Sequence, residues 1–81
     1  MRIIYLTLMS QREIREKRIQ VLKNIAIEDL EKGAQDIDVI NHLYSTARLN
    51  WTLSIYAARD ISKLAFDLAK AELERKGEKH E

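Results

Sequence analysis

Little in this chain is suited to stopping a helix. Proline is absent, and glycine occurs only at Gly33 and Gly77. Long helices are therefore the default expectation, with the two glycines as the natural places for one to end. An all-α fold follows. With 81 residues the chain forms a single domain (1–81). A core that small gains from self-association or a protein partner.

The first helix has a clear start. Ser10-Gln11-Arg12-Glu13 is a capping box, in which the serine hydroxyl accepts from the Glu13 backbone N–H. Ile14, Val21, Leu22, Ile25, Ala26 and Leu30 then mark one broad apolar face. Glu13–Lys17 and Glu28–Lys32 are i,i+4 pairs in the favourable order. Gly33 supplies a left-handed cap, so the helix runs from about 11 to 32. Arg12, Arg15, Lys17, Arg18 and Lys23 crowd its first half. Cations there oppose the helix dipole, and a solvated face is favoured over phosphate contact. Upstream, RIIYLTL (2–8) has strand-forming residues and reads as a strand or an arm; alternatively Met9 is the start.

Asp36 or Asp38 caps the second helix, which carries Ile40, Leu43, Tyr44, Ala47 and Trp51 on one stripe. From Ile55 to about Lys76 the period is again helical. Ala58, Ile61, Leu64, Ala65 and Leu68 form one line, and Phe66, Ala69 and Leu73 a second. A helix apolar on two sides packs against two neighbours. Glu72–Lys76 supports its end, Gly77 stops it, and 77–81 is a flexible tail.

Between these helices lies Asn50-Trp51-Thr52-Leu53-Ser54, and two foldings remain open. Asn50, Thr52 and Ser54 are weak helix formers and good caps. A turn here, with Ser54 as N-cap, makes three helices near 11–32, 37–50 and 55–76. In the alternative, Ile37, Ile40, Tyr44, Ala47, Trp51, Ser54, Ala58, Ile61, Ala65 and Leu68 form one uninterrupted heptad seam. The chain is then a long helical hairpin, and two copies build a four-helix bundle. The turn is the preferred folding. A proline at Thr52 discriminates, being tolerated near a turn and disruptive in a continuous helix. Trp51 is a buried anchor in either case.

In the turn folding, Leu53, Ser54, Ala58, Arg59, Asp60 and Ile61 resemble the turn and recognition helix of small archaeal helix-turn-helix DNA-binding domains, over about 25 residues. The chain departs from that pattern at Arg48, where a small residue is common, and at Thr52, where glycine is common. The resemblance implies that Ser54, Ile55, Tyr56, Arg59, Asp60 and Lys63 face outward. Arg59 would read guanine, and Tyr56 and Lys63 would touch phosphates. The candidate DNA-binding set is thus Ser54, Tyr56, Arg59 and Lys63, with Arg48 from the preceding helix. Asp60 would repel phosphate unless it accepts from cytosine or pairs with a neighbouring cation. A dimer on two half-sites would supply the affinity.

Other functions find little support. The net charge of +1 neither demands nor excludes nucleic acid. Without cysteine there is no disulfide framework or thiolate metal site. No Glu-x-x-His or His-x-x-x-His spacing occurs, and His42 is a lone surface histidine. Ser45, Ser54 and Ser62 lack an evident base. We expect no enzyme activity, no cofactor, no metal and no small-molecule substrate. No apolar run approaches the ~18 residues of a membrane span, and IIYLTLM is too short for a signal-peptide core with its cleavage site. A soluble cytoplasmic protein is expected. Abundant Glu, Lys, Arg and Ile suit a thermophile. The preferred expectation is a dimeric helix-turn-helix regulator that binds duplex DNA. The alternative is a helical interaction or accessory subunit of a larger assembly, as in replication or transcription.

Overall fold

The computed structural model describes residues 10–79. Among the described residues there are three helices: α1 (Gln11–Glu31), α2 (Asp36–Trp51) and α3 (Ile55–Lys79). The segment 2–8, expected as a strand or arm, lies outside the described residues, as do His80 and Glu81. All three helices pack on one another.

The ends of α1 follow local chemistry. Ser10 Oγ accepts from the Glu13 amide at 3.1 Å. At the other end Gly33 takes φ +92°, a conformation that a side chain resists. The Gly33 amide donates to the Leu30 carbonyl at 3.0 Å, and Ala34 donates to Asp29 at 3.1 Å. The start of α2 differs from expectation. Gln35 occupies the N-cap without a side-chain bond, and Asp36 and Asp38 fall inside the first turn. There they favour the helix through its dipole rather than by capping.

The backbone reverses at Thr52–Ser54, which removes the continuous-helix alternative. Thr52 is left-handed (φ 51°, ψ 41°), a conformation uncommon for a β-branched residue. That angle also overturns the proline test, because proline fixes φ near ~−65° and fits neither folding at this position. Ser54 then caps α3, its Oγ accepting from the Ala57 amide at 3.2 Å. The heptad seam fails accordingly: Ile37, Ser54 and Leu68 are exposed. A turn resets the helical phase, so the stripes before and after it need not join.

Cross-helix polar contacts report the helix directions. Arg15 pairs with Asp60 at 3.1 Å and Lys23 with Glu72 at 2.7 Å. Both contacts climb α1 and α3 in the same sense, so these helices are parallel. Asp29 meets His42 at 2.6 Å, and Asp36 meets Lys70 at 3.5 Å. Hence α2 runs opposite to both, giving an up-down-up bundle in which α2 and α3 lie side by side well beyond their turn.

The core comprises Ile19, Leu22 and Ala26 of α1, Val39, Leu43 and Ala47 of α2, and Ala58, Ile61, Ala65, Phe66 and Ala69 of α3. Two apolar lines on α3 meet two neighbours, as its pattern implies. Ile19 and Val39 enter the core unanticipated, whereas Val21 stays exposed, Ile14 is only partly buried, and Ile40 and Tyr44 sit at the core's edge. Gly77 does not stop α3, which continues to Lys79. A helical glycine costs only about 1 kcal/mol.

Candidate nucleic-acid interface

One side of the first turn of α3 faces solvent, while Ala58 on the other enters the core. Ser54, Ile55, Tyr56 and Ala57 are all exposed, and Tyr56 is 85% accessible. Arg59 and Lys63 follow on the same helix, also exposed. Neither has an ion-pair partner among the described residues. The expected outward set therefore does face solvent.

Two members of the candidate set also hold the turn together. Ser54 spends its hydroxyl as the N-cap acceptor. Arg48 Nη1 donates to the Leu53 carbonyl at 3.2 Å, so its guanidinium braces the turn from α2. A larger side chain than the resembled pattern carries at that position thus has a local structural use here.

Asp60, the one acid among these outward residues, is neutralised from outside α3. Arg15 Nη2 lies 3.1 Å from its Oδ2. The cations of α1 are largely committed: Arg12 to Glu16, Arg15 to Asp60 and Lys23 to Glu72. Arg18 lies 5.4 Å from the Trp51 ring centroid. Trp51 is therefore half-buried rather than fully enclosed, and a cation occupies its face. The Glu72 carboxylate, expected to support the helix end through Lys76, takes its closest bond from Lys23 instead. That bond holds its pKa below the usual 4.5, against a smaller opposing effect of burial.

Beside Arg59 and Lys63, a groove of about 320 Å³ opens between α2 and α3, lined also by Ile40, Asn41, Tyr44 and Ser62. Among the described residues no cluster of three or more His, Cys, Asp or Glu could hold a metal. No described helix is long and apolar enough to cross a membrane. No family model matches the chain, and no curated protein or solved structure matches it.

Proposed function

We propose that the chain is a small non-enzymatic DNA-binding protein that presents the amino-terminal half of α3 to duplex DNA. One observation carries this: the backbone reverses at Thr52–Ser54 and leaves Tyr56, Arg59 and Lys63 exposed on the helix that follows. A helix-turn-helix places the amino-terminal residues of its second helix in the major groove. Arg59 has the fork that matches guanine, and Lys63 and Tyr56 are suited to phosphate. The Arg15–Asp60 pair removes the repulsion an unpaired Asp60 would exert. A dimer with its two α3 helices about 34 Å apart would reach successive turns of the major groove.

The test is fluorescence anisotropy on short duplexes over a salt series. Affinity falls steeply with salt; Lys63→Ala weakens binding and reduces the salt slope by about 1, whereas Arg59→Ala weakens binding and relaxes the base preference. Absence of duplex binding at low salt overturns the proposal.

A second function has its own support. The Asp36–Lys70 pair keeps α2 and α3 together far from the turn, unlike the open crossing of about 90–120° in a helix-turn-helix. Leu49 is 83% exposed and Ile37 is 60% exposed. A closed bundle with bare apolar side chains is suited to a role as an interaction subunit. Such a subunit ignores DNA and copurifies with a protein from nuclease-treated native extract.

A further inference from the structure

The groove between α2 and α3 has a chemistry that DNA contact does not require. Its lining is Ile40, Asn41, Tyr44, Arg59, Ser62 and Lys63. No carboxylate is among these residues. Arg59, Lys63, the Asn41 amide and the Tyr44 and Ser62 hydroxyls all offer donors, while Ile40 and the Tyr44 ring form an apolar wall.

Ser62 makes this more than a surface dent. It is fully buried, and its Oγ has no hydrogen-bond partner among the described residues. A serine within a helix has an easy local solution, donating to the carbonyl four residues back. Here the hydroxyl makes no such bond. Burying an unpaired hydroxyl is costly, and alanine at position 62 would avoid that cost and favour the helix more.

We propose that this groove binds a small organic anion, with the charged head on Arg59, Lys63 and the Ser62 hydroxyl and an apolar body along Ile40 and Tyr44. A volume of about 320 Å³ is at the lower end for small-molecule pockets, which begin near ~300 Å³. Arg59 and Lys63 are also the cations assigned above to DNA. An occupied groove therefore competes with the duplex. That consequence rests on the DNA-binding proposal, whereas anion binding does not.

The experiment is an amide NMR titration of the full chain without DNA, so its outcome is independent of duplex binding. Three probes separate head from body: 2-naphthoate, 2-naphthamide and inorganic phosphate. Naphthoate shifts the amides of Ile40, Tyr44, Arg59, Ser62 and Lys63 and saturates; the neutral amide and phosphate bind more weakly. Ser62→Ala, folded by its thermal melt, loses about tenfold in naphthoate affinity, the worth of one hydrogen bond to a charged group. Lys63→Gln, at an exposed position, also weakens binding. The proposal is overturned if naphthoate fails to saturate, if its shifts lie elsewhere, or if Ser62→Ala leaves affinity unchanged. Naphthamide binding as tightly overturns the anionic head. Phosphate binding as tightly assigns the cations to a nucleic-acid backbone and overturns the organic body.

Discussion

Asp60 Oδ2 sits 3.1 Å from Arg15 Nη2, so a residue of α1 sets the charge of the exposed face of α3. Both side chains are at least half exposed, and such a pair is worth ~0–1 kcal/mol to folding. Its larger effect is on the sign of the surface beside Arg59 and Lys63. Arg15→Gln should leave thermal stability nearly unchanged and weaken duplex binding several-fold by freeing Asp60. Asp60→Asn should strengthen it. Anisotropy at one low salt concentration reads both, and equal affinities for the two variants would remove Asp60 from the interface.

Thr52 tests the turn itself. Its left-handed φ of 51° costs a β-branched side chain energy that glycine would not pay. Thr52→Gly should raise stability by about 1 kcal/mol, or roughly 5 °C in Tm for a domain of this size. Thr52→Pro should disrupt the α2–α3 junction. A thermal melt followed by circular dichroism distinguishes them; a glycine variant that melts lower would mean that the turn is not strained.

The legible parts of the fold were those decided within a few residues. Ser10 caps α1 through its own side chain, and Gly33 ends it through its own backbone freedom. The turn at Thr52 was harder to read because no glycine marks it. Threonine there is held by its context, including the Arg48 bond to the Leu53 carbonyl. Ile19 and Val39 escaped the stripes because burial depends on which side of a helix its neighbours occupy. The same holds for Lys23–Glu72 and Arg15–Asp60, whose partners lie on different helices and meet only once the helix register is set. Of the candidate site, exposure on α3 was what the resemblance implied, while the second role of Arg48 and the orphaned Ser62 hydroxyl depend on how the helices pack.

Two fully buried residues, Leu22 and Ser62, should respond in opposite directions. Leu22 is fully buried between its neighbours. Leu22→Ala should cost about 3 kcal/mol through lost burial and a residual cavity. Ser62→Ala removes an unsatisfied group and should stabilise by about 1 kcal/mol. Urea denaturation measures both. A destabilised Ser62→Ala would show that the hydroxyl has a folding partner after all.

Acid should act on the bundle through Glu72. Lys23 Nζ lies 2.7 Å from Glu72 Oε1, with both side chains largely covered. This hydrogen bond is the main reason the Glu72 pKa falls below 4.5. A carboxylate with a depressed folded pKa adds stability that is complete above its unfolded value and is lost as pH falls through its folded one. Wild type should therefore be more stable than Glu72→Gln at about pH 6, and the two should converge as pH falls well below about 4.5. Lys23→Gln should converge in the same way, since it removes the other half of the bond. Thermal melts across that range supply the comparison. A gap that stays constant into acid would mean that the carboxylate gains nothing from Lys23, and that α1 and α3 are joined there by packing alone.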